Sequence, residues 1–375
     1  MIGFLQEILR IESRTGSEST LAARVVREMQ ARHFDAAWLD QSGNALGLVR
    51  GFESGAATML LTHLDHIDVG DLALWKHPPF AGILENGEIF GRGAVDIKGP
   101  LAAQLFALAG LLEQGKRPKR DVILAVPVEE ETGGRGMAEL MATVPLKTPL
   151  GWLEIGACVV GEPSGNKIML GHRGVCRCTV RFHGRAHHAS LGLHTENPYF
   201  ALATFLERLK NLQLPSHPIL GRSSISPTVI YADTSSNNLT PNTITLTLDW
   251  RTTTEVGADV RRILGDLLYE LPATFVSYDD WQGGADGVKN PGFITAPDHG
   301  LVLALHKARD EVLGESATGI WQFATDGRFA HKVGIPCVGF GPGAENLAHT
   351  TKERISITEL EQHVTVLQAF LLEWS

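Results

Sequence analysis

Imidazoles and carboxylates recur in this chain at the ends of apolar, strand-like runs. His63 and Asp65 stand two apart just after the run at 58 to 62. Asp96 lies in a glycine-rich loop, Gly91-Arg-Gly-Ala-Val-Asp96, that opens a helix-like Ala/Leu stretch. The run at 122 to 128 leads straight into Glu129-Glu130-Glu131-Thr-Gly-Gly, and the run at 157 to 160 into Gly161-Glu162-Pro-Ser. His349 comes late, in Ala348-His349-Thr350. Adjacent carboxylates repel one another and burial raises the cost of each charge, so three glutamates after a buried strand need open solvent or a cation. A divalent metal resolves the conflict. Mixed imidazole and carboxylate donors suit zinc, with cobalt or manganese also tolerated, and one carboxylate can bridge two ions about 3.5–4 Å apart. Singly, a His-x-Asp pair or a glutamate triplet is more often a solvated or structural feature. Five such groups in order at strand ends point to a dimetal site.

The elements that must bring these groups together follow from periodicity. Phe4, Leu5, Ile8 and Leu9, then Leu21, Val25, Val26 and Met29, recur at helical spacing and predict two amphipathic helices, the second after a Ser-Glu-Ser-Thr start signal. Strand-like runs at 45 to 49 and 58 to 62, an Ala/Leu helix at 101 to 112 and a buried strand at 122 to 128 predict an α/β fold with a mostly parallel sheet and helices on both faces. In such sheets function collects beyond the carboxyl ends of the strands. From residue 172 the pattern changes to strict alternation, with Val175, Arg177, Thr179 and Arg181 opposite Cys176, Cys178, Val180 and Phe182. Helices follow at 198 to 212 and 256 to 271, with another alternating run at 243 to 250 between them and a Gly/Asp-rich stretch at 283 to 292 after them. These features predict an inserted α+β domain at 172 to 285, within a catalytic domain formed by 1 to 171 and 286 to 375.

Composition narrows the function classes. Among 375 residues, 33 Lys and Arg stand against 42 Asp and Glu, a net charge of −9 that disfavours nucleic acid as a partner. No apolar run approaches the roughly 20 residues that span a bilayer, and no export signal opens the chain, so no membrane partner and a cytoplasmic location are expected. Cys158, Cys176, Cys178 and Cys337 form no CxxC pair and read as buried thiols. A serine hydrolase would need a GxSxG elbow, whereas Gly161-Glu-Pro-Ser-Gly165 places its serine one position late beside a proline.

The motif set His63-x-Asp65, Gly-Arg-Gly-Ala-Val-Asp96-x-Lys-Gly, Glu130-Glu131-Thr, Gly-Glu162-Pro-Ser and Ala-His349-Thr resembles the M20 group of co-catalytic metallohydrolases, which includes acetylornithine deacetylase, succinyl-diaminopimelate desuccinylase and bacterial carboxypeptidases. The resemblance covers nearly the whole chain. It implies that Asp96 bridges two divalent ions, with His63 and Glu162 on one and Glu131 and His349 on the other. It further implies that Glu130 is the general base and that Asp65 orients the His63 imidazole. Glu129-Glu130 is an alternative register, but the following Thr132-Gly133 favours Glu130-Glu131. In the insertion, Gly184-Arg-Ala-His187-His188-Ala-Ser resembles the family's lid segment, whose histidine stabilises an oxyanion, often from the neighbouring subunit. His188 matches it better than His187. Asn238 and Arg251 resemble the asparagine and arginine that hold substrate, and Arg328, in Thr-Asp326-Gly-Arg328-Phe, a second anion contact. His66 departs from the small or apolar residue expected after Asp65.

The resemblance thus implies a metal-dependent hydrolase that removes an acyl group from an N-acyl amino acid, working as a homodimer through its lid domain. A dipeptidase or carboxypeptidase shares every catalytic residue and takes a short peptide instead. A metal-binding protein without catalysis would lack Glu130 or a ligand, and all are present.

Overall fold

The computed structural model describes residues 1–253, 255, 257–278, 291–315 and 317–374. The Gly/Asp-rich stretch, apart from its last two residues, and the boundary expected at 285 lie outside them. The chain divides into two compact units, one comprising Met1–Gly171, Ile294–Trp321 and Thr325–Ser375, the other His172–Phe293 with Gln322–Ala324.

The first unit is built on a sheet whose central strands Val122–Val126, Ala57–Leu61, Ile155–Val160 and Cys337–Gly339 run parallel in that order. Antiparallel strands flank them: Ala45–Val49 and Ala36–Leu39 on one side, Met169–His172 on the other. Val122–Val126, Ala57–Leu61 and Ala45–Val49 are buried at every position, which explains their continuous apolar runs: a strand covered on both faces has no solvent side to mark with polar residues. Helix α3, Lys98–Glu113, is apolar almost all round and correspondingly buried, packed on the helix Ile357–Glu373 and on α1, Ile2–Leu9. Helix α2, Ser19–Ala31, buries Leu21, Val25, Val26 and Met29. Its N-cap is Glu18 rather than a serine or threonine, and the Glu18 carboxylate accepts from the N–H groups of Gly16 at 3.0 Å and Glu129 at 3.2 Å. The helix start is tied in this way to the glutamate loop.

The second unit is an antiparallel sheet of Ser224–Ala232, Thr243–Thr252, Gly174–His183 and Ala273–Tyr278, in that order. Cys176, Cys178, Val180 and Phe182 enter a core with Leu246, Leu248, Trp250, Phe205 and Leu264, the last two from helices Pro198–Lys210 and Gly257–Leu268. Arg177 and Arg181 face the other way and are exposed, as a period of two requires. No helix among the described residues is long and apolar enough to cross a membrane.

Candidate metal centre

Parallel strands end together, so whatever follows them meets at one edge. His63 follows Ala57–Leu61, Glu130 and Glu131 follow Val122–Val126, and Glu162 follows Ile155–Val160. Asp96 comes two residues before α3, and its peptide bond to Ile97 is cis. His63 points Nε2 at Asp96 Oδ1, 3.2 Å away, and at Glu162 Oε1, 3.5 Å away. His349 points Nε2 at Asp96 Oδ2 and Glu131 Oε1, both at 3.1 Å. The two oxygens of Asp96 therefore face different imidazoles, as a bridging carboxylate's would. His63, Asp96 and Glu131 bring one donor atom each within 4.8 Å of one another, and so do His63, Glu130 and Glu162. Glu130, expected only as a base, thus lies within the donor cluster itself.

His349 and Glu129 hold φ values of 62° and 60°, a left-handed conformation that costs a non-glycine residue of order 1–3 kcal/mol and clusters at functional sites. For Glu129 this turn aims the next two glutamates inward, while its own carboxylate pairs outward with Arg135 at 2.6 Å. That geometry favours Glu130-Glu131 over the alternative register.

Asp65 does more than orient an imidazole. Its Oδ1 lies 3.2 Å from His63 Nδ1 and accepts from the Glu130 N–H at 3.0 Å. Its Oδ2 accepts from the Glu131 N–H at 3.1 Å and from Thr15 Oγ1 at 2.7 Å. One buried carboxylate positions both the first imidazole and the glutamate pair. His66 is committed elsewhere, accepting at Nε2 from the Ser13 N–H at 3.0 Å and donating from Nδ1 to the Ile67 carbonyl at 2.7 Å. Burial, then the nearby Lys98 charge, lowers its pKa to about 4.

The electrostatics are those of a cation site. Burial, reinforced by the neighbouring Asp96 charge, raises Glu131 to about 7 and raises Glu162 as well. Burial followed by the Asp326 charge raises Glu130 well above the usual carboxylate range. The Asp96 and then Glu131 carboxylates raise His349 to about 10. Burial would lower His63, but Asp65, Asp96 and Glu162 outweigh it and carry the pKa well above normal. Asp96 Oδ1 is buried with no hydrogen-bond donor. Two imidazoles, a central carboxylate and three glutamates that resist ionising together form a donor set that divalent cations fit.

Arg328 is buried beside Glu130 but turned inward, donating from Nη2 to the Gly133 carbonyl at 2.9 Å, with Asp326 Oδ1 at 3.4 Å and Glu130 Oε1 4.0 Å from Nη1. Asp326, quoted in the sequence only as part of a motif, is buried with neither oxygen hydrogen-bonded. Burial, only partly offset by Arg328, raises its pKa to about 6.

His188, Asn238 and Arg251 belong to the second unit. The exposed His188 holds Ser190 Oγ at 2.8 Å through Nδ1, while His187 is tied through its own Nδ1 to Thr240 Oγ1 at 3.0 Å. The Ala189 N–H reaches the Asn238 carbonyl at 2.9 Å, which sets Asn238 beside His188. Arg251 forks onto Asp249, at 2.7 Å from Nε and 3.3 Å from Nη2.

The model of peptidase family M20/M25/M40 matches residues 59–373. A succinyl-diaminopimelate desuccinylase from Blochmanniella pennsylvanica (strain BPEN) is 26% identical over 315 residues, 81% of this chain and 78% of that protein. Among solved structures, a tripeptidase from Staphylococcus aureus subsp. aureus Mu50 has a TM-score of 0.78 at 20% identity, over 98% of this chain and 96% of that one. A dinuclear metal binding peptidase of the M20 family from Bacillus subtilis has a TM-score of 0.73 at 14% identity, over 99% and 96%. These structures share the fold, and the family match runs through every strand end that carries a donor. The chain belongs to peptidase family M20/M25/M40 and is a metallohydrolase.

Proposed function

We propose that the chain hydrolyses the amide of an N-acyl amino acid, in the manner of a deacetylase or desuccinylase. The observation that carries the reading is the position of Glu130, whose carboxylate oxygen lies within 4.8 Å of donor atoms of His63 and Glu162. Asp96 would bridge two divalent ions, zinc first with cobalt or manganese as substitutes, His63 and Glu162 holding one and Glu131 and His349 the other. When bound, the ions acidify water and polarise the scissile carbonyl. Glu130 accepts a proton from the attacking water and returns it to the departing amine nitrogen, as a general base and then a general acid. Asp65 keeps the Glu130 backbone and the His63 ring in place during that exchange. His188 donates to the oxyanion, Asn238 and Arg251 hold the substrate, and Arg328, turned inward, offsets the charge behind Glu130 rather than binding an anion.

The edge strand Ser224–Ala232 supports a homodimer formed through the second unit. Val229, Ile230 and Tyr231 on it are 60%, 55% and 68% exposed, an apolar edge that soluble proteins seldom leave uncovered. The deacylase assignment draws on the relative of 26% identity. Its test is a panel of N-acetyl, N-succinyl and N-formyl amino acids beside dipeptides and tripeptides, with zinc- and cobalt-loaded protein. Turnover of the acyl compounds at a kcat/KM at least tenfold above the peptides supports it. The reverse order makes the chain a dipeptidase or carboxypeptidase.

A further inference from the structure

Glu353 stands four residues after His349 and directly before the strand Arg354–Ser356, which pairs antiparallel with Glu88–Phe90. Its carboxylate is buried and fully engaged. Oε2 accepts from Arg92 Nη1 at 2.5 Å. Oε1 accepts from two successive peptide N–H groups, Val95 at 2.9 Å and Asp96 at 3.0 Å. The Glu353 carbonyl also accepts from the Gly91 N–H at 3.2 Å, so this one residue grips both ends of the loop from 91 to 96. The first part of the loop has its own ties, Arg92 N–H to the Pro79 carbonyl at 2.8 Å and Ala94 N–H to the Gly91 carbonyl at 3.1 Å, whereas the N–H groups of Val95 and Asp96 are held by Glu353. The loop contains Gly91 and Gly93 at φ 159° and 87°, and α3 begins only at Lys98.

A buried ion pair needs only one carboxylate oxygen and one guanidinium. Here the second oxygen is spent wholly on the backbone at and before Asp96, where it satisfies two N–H groups that would otherwise be buried without partners. The same short segment meets Asp96 again from the other side, through His349 Nε2, 3.1 Å from Asp96 Oδ2. Residues 349 to 353 therefore hold the backbone of Asp96 at one end and its carboxylate at the other.

We infer that Glu353 is a positioning residue for Asp96: it fixes the peptide from which the bridging carboxylate projects, and so where the two oxygens fall between His63 and His349. The inference rests on the dimetal reading of Asp96. Its test is Glu353→Gln, which keeps size and one acceptor but loses the charge and places an amide N–H against either Arg92 or the Asp96 N–H. Metal-free protein is titrated with cobalt in competition with a chromophoric chelator, and the visible cobalt band and the Tm of the metal-free chain are recorded. The expected result is cobalt affinity 10- to 100-fold weaker for at least one ion and an altered band, with a Tm within a few degrees of the unmodified chain. Should that variant fold poorly, Glu353→Asp keeps the charge for Arg92 but draws the carboxylate one methylene away from the two N–H groups, and the same changes in affinity and band are expected. An unchanged band and affinity in a folded variant overturns the inference alone. An unmodified chain that takes up no cobalt overturns it together with the dimetal reading.

Discussion

Asp65→Asn tests how much of the site one carboxylate organises. In the native chain its two oxygens face four donors: His63 Nδ1, the N–H groups of Glu130 and Glu131, and Thr15 Oγ1. An asparagine offers one oxygen and one NH2. With the oxygen in the Oδ1 place, the contacts to His63 and Glu130 survive as neutral bonds, Thr15 can rotate to accept, and the amide NH2 opposes the Glu131 N–H. The flipped amide opposes both His63 and Glu130 and is worse. One buried N–H left unsatisfied costs about 1–3 kcal/mol, and each surviving bond loses about 1 kcal/mol of charge assistance, part of which the cheaper burial of a neutral group restores. The net loss is about 3 kcal/mol of unfolding free energy. Because the two displaced peptides carry Glu130 and Glu131, turnover falls too, by roughly 100-fold or more at saturating metal, and metal affinity by about 10- to 100-fold. Urea unfolding of the metal-free chain and kcat under metal excess measure the two losses. An Asp65→Asn chain within tenfold of native kcat and within 1 kcal/mol of native stability would show that Asp65 does not hold the glutamate pair. Thr15→Val, removing only the outermost donor, should cost about 1 kcal/mol and leave kcat within a few-fold.

Glu130→Gln should lower kcat by roughly 100-fold or more while the chain still takes up two metal ions; elemental analysis beside kinetics checks it. Exhaustive chelation should abolish amide hydrolysis and added zinc, cobalt or manganese should restore it. Metal loading at pH 7 should release at least two protons per chain, measured by calorimetry in buffers of different ionisation heat. His63 and His349 both have pKa values raised by facing carboxylates, hold their protons at neutral pH, and must lose them to become ligands. Protons compete more strongly as pH falls, so the overall constant for binding both ions should drop at least about 100-fold between pH 7 and pH 6, the one imidazole proton displaced at each ion contributing a factor of ten. Gly134→Ala should cost about 2–4 kcal/mol in a denaturation assay, since φ is +76° there and an added Cβ would come within 2.1 Å of Asp326 Oδ1. If His188 acts across a subunit boundary, mixing His188→Ala with Glu130→Ala chains should recover part of the native activity.

The strands and the groups behind them were legible because they use side chains that sequence displays: continuous apolar runs for strands buried on both faces, and charged or imidazole residues directly after them. What stayed hidden is nearly all made with the backbone. Asp65 grips the N–H groups of Glu130 and Glu131, Glu18 that of Glu129, and Glu353 those of Val95 and Asp96. Every residue but proline offers an N–H, so the partner of such a carboxylate leaves no mark in composition or spacing. The support for the Glu130-Glu131 register is likewise a backbone feature, the φ of Glu129.

Arg251 is a different case, because its pairing could have been read. Residues two apart on a strand share a face, so Asp249 and Arg251 in the alternating run at 243 to 250 and beyond must stand side by side, and the structure has them forked together. The arginine expected to receive a substrate carboxylate already holds one. Were Arg251 to take a substrate carboxylate, it would exchange one carboxylate for another rather than fill an empty fork, at a net energy that depends on where Asp249 turns. Arg177, opposite Asp249 in register and 3.8 Å away at Nε, is exposed and ready to take it. Arg177, already within ion-pair distance of Asp249, would lower the cost of such an exchange.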